Sequence, residues 1–351
     1  MKLDLEGHAV LPGLVNAHDH LEFNLFPQLG DGPYPNLTDW ARDIYHPSRS
    51  PICEHLRVPK PVRLWWGALK NLLSGVTTVC HHNPWEPAVF GRDFPVRVVR
   101  RFAWAHSLAF EPDVAERFRK APAGVPFVIH CAEGTDQAAR RELQILDELG
   151  SVDQRTAIVH GVGITPRGVE LMRRRRAALI WCPTSNLALF GRTVSRAVLR
   201  SRIPIALATD SALSAPVDLL DELALASRYV PSDRLWEMVT TAPTQILRLP
   251  QCVASDWIAV RSDALHPARA LHPAEVLRSG SIALVFARGR IRLISPELAR
   301  QLSPLERRRL QPLAVERRLP VLVDADVRML RRNAVKHVGP DLRLAGKRLL
   351  D

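Results

Sequence analysis

The chain has 351 residues, of which 46% are hydrophobic and 24% are charged, a composition that excludes wholesale disorder. Lys and Arg number 48 against 36 Asp and Glu, a formal net charge of +12. Half of this excess falls between Pro296 and Asp351, so we interpret it as a solvated surface rather than a nucleic-acid-binding face. No apolar run reaches the roughly 18 residues of a membrane span, and the five cysteines form no CxxC pair. These features predict a cytoplasmic protein without a membrane or nucleic-acid partner.

Short apolar, β-branched runs alternate with amphipathic helical patterns over the first 250 residues. The predicted strands are Ala9–Ala17, Gly75–Cys80, Val96–Ala105, Pro126–Cys131, Thr156–Gly161, Ala178–Cys182 and Pro204–Thr209. The predicted helices include Val62–Leu73, Asp136–Leu149, Pro166–Arg176 and Thr193–Arg200. Repeated strand–helix–strand units indicate a parallel α/β sheet, and their number favours a closed (β/α)8-type TIM barrel over an open doubly wound sheet.

The pattern also predicts how the chain divides into parts. Only about 15 residues separate Phe110 from the strand that ends at His130, so we expect a barrel that is distorted or short of one βα unit. We assign residues 9–249 to the barrel, residues 1–8 and 250–295 to a small, reduced β appendage, and residues 296–351 to an Arg-rich helical C-terminal tail. The long loop Leu25–Ser50 is rich in Pro, Gly and Asn, and loops of this length in compact domains are commonly lids or substrate loops.

Polar side chains follow several of the predicted strands. His18 and His20 end the first strand, where residues i and i+2 point to the same side and can share one metal ion. His130 and Glu133 end a later strand, and Asp210 ends the last one. A surface His pair, a capped strand end and a helix N-cap would account for these residues singly. Together, three His and one Asp form a plausible ligand set for a single Zn²⁺ with an open position, beside a carboxyl group suited to acid/base work.

Six segments in this order resemble the amidohydrolase superfamily, in particular its cytosine deaminase, guanine deaminase and chlorotriazine hydrolase branch. The matching segments are Leu11–His20, Ser74–Val79, His130–Glu133, His160, Cys182–Asn186 and Ala208–Ser211. The resemblance implies a metal-dependent hydrolase on a (β/α) barrel. It gives the metal-ligand role to four residues: His18, His20, His130 and Asp210.

The resemblance also implies the division of catalytic labour. A bound divalent metal lowers the pKa of water toward neutrality, Asp210 orients that water or accepts its proton, and Glu133 acts as the general acid/base. His160 stabilises charge at the attacked carbon. Val96–Phe110 contains no Lys that could bridge two metals, so we expect one ion, Zn²⁺ in preference to Fe²⁺.

The predicted function is hydrolytic deamination of a nitrogen heterocycle, a small-molecule substrate. Hydrolysis of a cyclic amide or a dechlorinating reaction is the alternative within the same superfamily, and a non-catalytic metal-binding scaffold is the alternative outside the enzyme class. Candidate substrate contacts are His82, His106, Trp85 and Asn186, although core packing or support of neighbouring side chains would also explain them. Relatives of this type often form homodimers, and the Arg-rich tail is a candidate interface.

Overall fold

The structure is a computed structural model that describes residues 2–250, 255–262 and 271–350. Its strands are β1 (His8–Pro12), β2 (Leu14–Asp19), β3 (Val76–His81), β4 (Arg97–Val98), β5 (Ala103–Ala105), β6 (Phe127–Cys131), β7 (Thr156–His160), β8 (Ala178–Trp181), β9 (Ile205–Leu207), β10 (Trp257–Arg261), β11 (Ser281–Ala287), β12 (Arg290–Ile294), β13 (Gln311–Leu313), β14 (Val321–Val323), β15 (Arg343–Leu344) and β16 (Lys347–Arg348).

The helices are α1 (Leu37–Ile44), α2 (Ile52–Arg57), α3 (Lys60–Leu73), α4 (Val114–Lys120), α5 (Gln137–Glu148), α6 (Pro166–Arg175), α7 (Pro183–Phe190), α8 (Arg196–Leu199), α9 (Leu219–Ala226), α10 (Ser232–Val239), α11 (Thr241–Ile246), α12 (Pro273–Ser279), α13 (Pro296–Ala299), α14 (Pro304–Arg307) and α15 (Val327–Val338). A 3₁₀ turn spans Leu21–Phe23. No helix within the described residues is both long enough and apolar enough to cross a membrane.

Eight strands, β2 to β9, form two parallel sheets in chain order. The first sheet is β2–β3–β4 and the second is β5–β6–β7–β8–β9. An isolated parallel bridge between Asp19 and Asp210 joins the end of β2 to the segment after β9. No pairing between β4 and β5 exists in the described part of the chain, so the predicted α/β class with parallel sheets is confirmed, whereas the sheet itself is not closed.

The break between the two parallel sheets lies where the sequence predicted one continuous strand, Val96–Ala105. The structure has two short strands there, β4 and β5, joined by only four residues and no helix. Arg100 and Arg101 are exposed between them, because two adjacent guanidinium groups cannot be buried in a sheet without partners. Within the described residues, two connections of the βα pattern therefore lack a helix, the one between β3 and β4 and the one between β4 and β5. The shortened unit before His130 keeps its helix, α4, so the missing helices do not lie at the position that the sequence indicated.

The strand predicted over Ala9–Ala17 is also two strands, which belong to different sheets. β1 pairs with β10, and β2 pairs with β3. The chain crosses between the sheets at Gly13, where a Cβ atom would collide with the side chain of Thr77. Only glycine allows the backbone this close an approach.

The appendage is a six-stranded antiparallel sheet in the order β1–β10–β11–β12–β14–β13. Strands β13 and β14 come from the segment after residue 296, so the prediction of a purely helical tail was wrong. The reason is local, because the β-branched run Val321–Val323 follows Pro320 and adds to the edge of β12. The fully buried Arg292 donates to Asp324 at 2.9 Å and thereby fixes this extension of the sheet.

Alternate residues of the parallel strands pack into two separate apolar clusters. One cluster joins residues from the inner faces of the strands: Val15, Ala17, Val128, Ala157, Val159, Ile180 and Ala206. Their sequence neighbours pack against the helices in a second cluster. Strands that are buried on both faces are typical of parallel sheets covered by helices. Four of the five cysteines are described and free of disulfides, and Cys252 lies outside the described residues.

Candidate metal centre and active site

Three imidazoles and one carboxylate converge at the carboxyl ends of three strands. His18 and His20 come from β2 and the residue after it, His130 comes from β6, and Asp210 follows β9. One ligand atom from each lies within 4.8 Å of every other. The Nε2 atoms of His18 and His20 are each 3.5 Å from Oδ1 of Asp210. The structure thus brings together the four residues that the sequence predicted as metal ligands.

The second nitrogen or oxygen of most of these groups is held by a neighbour. Nδ1 of His130 lies 2.8 Å from the carbonyl oxygen of His106, and Nδ1 of His20 lies 2.9 Å from Oδ1 of Asn83. These contacts orient each ring and leave its Nε2 directed away from the support. Oδ2 of Asp210 accepts hydrogen bonds from two hydroxyl groups, those of Ser185 at 2.8 Å and Ser214 at 2.7 Å. Oδ1 of Asp210 therefore remains on the side of the histidines.

His18 provides the test of whether a metal ion fits these residues. Its ring is fully buried, and neither ring nitrogen has a hydrogen-bond partner among the described residues. Burial lowers the pKa of His18 to about 4, so the ring is neutral at physiological pH. A neutral imidazole offers a lone pair to a cation. Three imidazoles and one carboxylate suit zinc, and the residues present fit such an ion.

Glu133 and His160 lie beside this cluster and face each other. Nε2 of His160 is 3.5 Å from Oε1 of Glu133. Nδ1 of His160 is 2.9 Å from Oδ1 of Asn186, whose Nδ2 donates to the carbonyl oxygen of His160 at 3.3 Å. Burial, together with the charges of Asp210 and Glu142, raises the pKa of Glu133 well above 4.5. This shift favours the protonated form of Glu133, the form that can donate a proton.

The turn that carries Glu133 is held from two sides. The backbone N–H of Ala132 donates to Oε2 of Glu142 at 2.6 Å. On the other side, the carbonyl oxygen of Glu133 accepts a hydrogen bond from the N–H of Leu37 at 3.0 Å, at the start of α1. The long loop predicted over Leu25–Ser50 thus contains a helix that is attached directly to the catalytic turn. Sequence reasoning missed this helix.

A cavity of about 130 Å³ is lined by three of the four candidate ligands, His20, His130 and Asp210, and by Glu133 and His160. It adjoins a larger apolar cavity of about 710 Å³, and four residues line both: Leu37, Trp40, Ile44 and His106. Tyr45 and Phe110 extend the wall of the larger cavity. The sequence does contain a signal for this wall, because apolar residues at 37, 40, 41 and 44 follow the i, i+3, i+4, i+7 spacing of an amphipathic helix. The Asn36 side chain caps that helix by accepting from Asp39 N at 2.9 Å.

The predicted substrate contacts occupy different kinds of place. His106 lines both cavities and stacks on His130. His82 is fully buried, is 3.2 Å through Nε2 from the carbonyl oxygen of Ala105 and packs against His18 and His130.

Asn186 and Trp85 also lie away from the cavity wall. Asn186 is fully buried and supports His160, and Trp85 packs on Phe90 with Arg100 over its ring. Neither these two residues nor His82 belongs to the lining of the cavity that contains Glu133 and His160. The structure therefore favours packing and positioning roles for them over the predicted contact with substrate, whereas His106 keeps its place as a candidate contact.

Comparison with known proteins finds relatives that are named as deaminases and solved structures of a deaminase and a chlorohydrolase. No family model matches the chain. A 5-methylthioadenosine/S-adenosylhomocysteine deaminase of Pyrococcus furiosus is 24% identical over 373 aligned positions, which cover 85% of this chain and 86% of that protein. A protein of the same name from Natronomonas pharaonis is 26% identical, over 63% of this chain and 62% of its own length. A 5'-deoxyadenosine deaminase of Methanothrix thermoacetophila is 25% identical, over 68% and 69%.

Solved structures show the same fold at lower identity. An adenosine deaminase from Xanthomonas campestris with bound zinc superposes with a TM-score of 0.67 at 19% identity, over 94% of this chain and 85% of that one. A variant of atrazine chlorohydrolase from Arthrobacter aurescens, complexed with zinc and atraton, superposes with a TM-score of 0.69 at 15% identity, over 95% and 89%. The order of the motifs, the chemistry of the clustered residues and the names of the relatives all support a resemblance to the amidohydrolase superfamily of metal-dependent hydrolases.

Proposed function

We propose that the protein is a mononuclear zinc-dependent aminohydrolase that deaminates an adenine nucleoside with an apolar group at its 5' position. The observation that carries this proposal is the buried cluster of His18, His20, His130 and Asp210 beside the buried carboxyl group of Glu133. The pairing is suited to hydrolysis at a carbon that bears nitrogen, because attack by water and protonation of the ring must occur at adjacent positions.

One ion is enough for this arrangement. Within the described residues, the cluster contains four ligands and no lysine that could bridge to a second metal. The buried Lys70 donates instead to Asp19 at 2.8 Å. When bound, a zinc ion would lower the pKa of water and make it nucleophilic near neutral pH.

The chain's own groups would move the protons. Oδ1 of Asp210 can accept a proton from the attacking water, because its other oxygen is occupied by Ser185 and Ser214. Glu133 would donate its proton to the ring nitrogen next to the attacked carbon, and the proton accepted by Asp210 would pass to the departing amine, which leaves as ammonia. His160 would stabilise charge at the reacting centre through Nε2, since Asn186 holds the opposite nitrogen.

The shape of the active-site cavity supports the choice of substrate. The zinc-site cavity opens onto an apolar wall formed by Leu37, Trp40, Ile44 and Phe110. A heterocycle at the ligands would place an apolar 5' substituent against this wall, where its burial is favourable. The relatives are named as 5-methylthioadenosine/S-adenosylhomocysteine and 5'-deoxyadenosine deaminases, and two of these three compounds, methylthioadenosine and deoxyadenosine, fit this description.

The eight strands β2–β9 support a (β/α)8 barrel that is split between β4 and β5. The adjacent ends of β2 and β9 and the inner apolar cluster agree with that arrangement. Homodimer formation and a cytoplasmic location stay predictions, and light scattering of the purified protein tests the first.

The deciding experiment is ammonia release from 5'-methylthioadenosine, 5'-deoxyadenosine, adenosine, guanine and cytosine by the zinc-loaded protein. We expect the two 5'-apolar nucleosides to be deaminated best, and we expect Glu133→Gln to abolish the reaction while retaining zinc. Glu148→Gln is the matched control, because Glu148 is an exposed carboxylate at the end of α5. Release of ammonia by Glu133→Gln at the wild-type rate would contradict the proposal.

Two other outcomes would identify the alternatives. Ring opening of a cyclic amide, or chloride release from a chlorotriazine without ammonia, would assign the site to the reaction class of atrazine chlorohydrolase. Zinc binding without turnover of any of these compounds would favour the non-catalytic scaffold.

A further inference from the structure

A second cavity lies at the opposite end of strand β9 from Asp210. It has a volume of about 760 Å³ and is lined by the segments on either side of that strand's start. Five arginines converge on it: Arg196, Arg200, Arg202, Arg228 and Arg234. We refer to it as the arginine cleft. Arg200 and Arg202 flank Ser201 in the turn between α8 and β9, and the other side is formed by the start of α10.

The positive charge in the arginine cleft is largely uncompensated. Among the described residues, Arg234 alone of the five forms an ion pair, with Glu237 at a long N–O distance of 3.7 Å. Its Nη2 atom is buried and has no hydrogen-bond partner in the described part of the chain. The carboxylate of the adjacent Asp233 contacts another residue, because its Oδ1 lies 3.0 Å from Nε2 of His272. Buried donors without acceptors cost free energy unless a ligand supplies the acceptors.

Neighbouring side chains add to the positive charge of the arginine cleft. Helix α6 contacts α8 and carries four successive arginines, Arg173–Arg176, all exposed. Arg173 pairs with Glu170 and Arg175 pairs with Asp147. Arg174 and Arg176 have no carboxylate partner among the described residues. A concave surface lined by one sign of charge concentrates its potential inside the concavity.

The size and chemistry of the cleft indicate its ligand. Its volume lies within the range of small-molecule sites. Guanidinium groups bind phosphate oxygens in bidentate pairs, and several of them together favour a multiply charged anion over a single carboxylate. Tyr229 presents a 38% exposed ring at the wall, which can stack on a planar base. We propose that the arginine cleft binds a small molecule carrying two or more phosphate groups, at a site separate from the zinc centre.

A nucleic acid is the other polyanion that such charge could attract. An extended strand requires a stripe of contacts along a surface, whereas these arginines line one open cleft of limited size. The concave shape therefore favours the small molecule.

Isothermal titration with inorganic tripolyphosphate, ATP and adenosine at about 0.15 M salt tests the proposal. We expect tripolyphosphate and ATP to bind at one site per chain, and adenosine, which lacks phosphate, to give no signal at this site. Tighter binding of ATP than of tripolyphosphate would assign the ligand to a nucleotide that uses Tyr229, and equal binding would assign it to the phosphate chain alone.

Charge-removing variants locate the site. Arg200→Gln/Arg202→Gln is expected to weaken tripolyphosphate binding by about tenfold or more. The matched control Arg307→Gln/Arg308→Gln removes the same charge from exposed residues at the end of α14 and should change the affinity by about twofold or less.

A second variant, Arg228→Gln/Arg234→Gln, removes charge from the other wall, so that misfolding of one variant leaves the test intact. No binding of either phosphate compound, equal weakening in the control, or tighter binding of a single-stranded oligonucleotide than of tripolyphosphate would overturn the proposal. Tripolyphosphate is not a substrate for deamination, so a failure of its titration is independent of the proposed catalytic function.

Discussion

Replacement of Glu142 by Gln tests how the turn that carries the catalytic acid is held. Glu142 lies on α5, and its carboxylate accepts the N–H of Ala132 at 2.6 Å. Burial raises the pKa of Glu142 to about 7, against the opposing effect of hydrogen bonds from the N–H groups of Ala132 and Glu133. Gln keeps an acceptor oxygen for these N–H groups but has no proton to lose.

The magnitude follows from the size of the pKa shift. Between about pH 4.5 and pH 7 the unfolded chain releases the proton of Glu142 while the folded protein retains it. The free energy of unfolding contributed by Glu142 therefore falls as the pH rises through this window. A shift from 4.5 to about 7 corresponds to about 3 kcal/mol, and partial exposure of the side chain reduces this to about 1–3 kcal/mol.

The assay is urea denaturation of wild-type protein and Glu142→Gln at about pH 4.5 and about pH 8. Titrating groups remote from Glu142 contribute equally to both proteins and cancel in the difference. Glu133 does not cancel, but loss of the Glu142 charge reduces the upward shift of its pKa and so changes stability in the same direction. We expect the variant to gain about 1–3 kcal/mol relative to wild type at the higher pH. Glu148→Gln, at the exposed end of the same helix, should show a pH-independent difference. A constant difference for Glu142→Gln as well would refute the assigned burial of this carboxyl.

Three further changes test the site and its support. His18→Ala/His20→Ala should reduce bound zinc from about one equivalent per chain to less than about a tenth, measured by mass spectrometry of metals after dialysis. Asn186→Leu removes the side chain that holds Nδ1 of His160 and should lower kcat by about 10–100-fold with zinc content unchanged. Lys70→Met leaves the buried Asp19 carboxylate without its cation and should lower the free energy of unfolding by about 3–5 kcal/mol, measured in urea.

The controls for these changes use exposed groups of the same type. Lys120→Met removes an exposed lysine that pairs with Glu116 and should cost less than about 1 kcal/mol. Zinc retained by the double His variant would contradict the ligand assignment. An Asn186→Leu enzyme with wild-type kcat and pH profile would show that His160 needs no support from this side chain.

The metal site could be predicted from the sequence because its signals are local. His18 and His20 are two residues apart on one strand, and His130 and Asp210 each end an apolar run. The carboxyl ends of parallel strands meet at one end of a barrel, so position within the strand was sufficient to place these residues together. The same reasoning predicted a substrate contact for His82, which packs beneath the cavity instead. A position at a strand end alone does not decide whether a ring faces the cavity or packs beneath it.

The supports of the site depend on contacts between distant segments, which spacing does not report. Glu142 reaches the turn at Ala132, and Asn83 reaches His20 from the next strand. Glu222 on α9 accepts from the hydroxyl of Thr184 at 2.9 Å and so fixes the start of α7. Each is an ordinary polar residue on a helix or loop, and only the packed fold assigns it a partner.

Left-handed backbone at the strand ends is a further feature that the sequence did not indicate. Ala132, His160 and Asp210 have φ values of 55°, 71° and 59°, and they follow or end β6, β7 and β9. The left-handed conformation costs a non-glycine residue about 1–2 kcal/mol. Strain of this kind persists where the surrounding structure fixes it, and it is frequent at active sites. Here it turns the chain sharply at the three positions that present Glu133, His160 and Asp210.

Ala132→Gly tests whether this strain is real, with Ala68→Gly as its control. Both alanines are fully buried, so each substitution removes one buried methyl group, worth about 0.8 kcal/mol. Ala68 lies in the middle of α3, where glycine adds a helix penalty of about 1 kcal/mol. At Ala132 glycine instead relieves the left-handed strain of about 1–2 kcal/mol, which offsets the lost burial. We therefore expect Ala132→Gly to lower the free energy of unfolding by about 2–3 kcal/mol less than Ala68→Gly does, measured in urea. A loss at Ala132 as large as that at Ala68 would mean that the turn bears no strain and that its geometry is held at no cost.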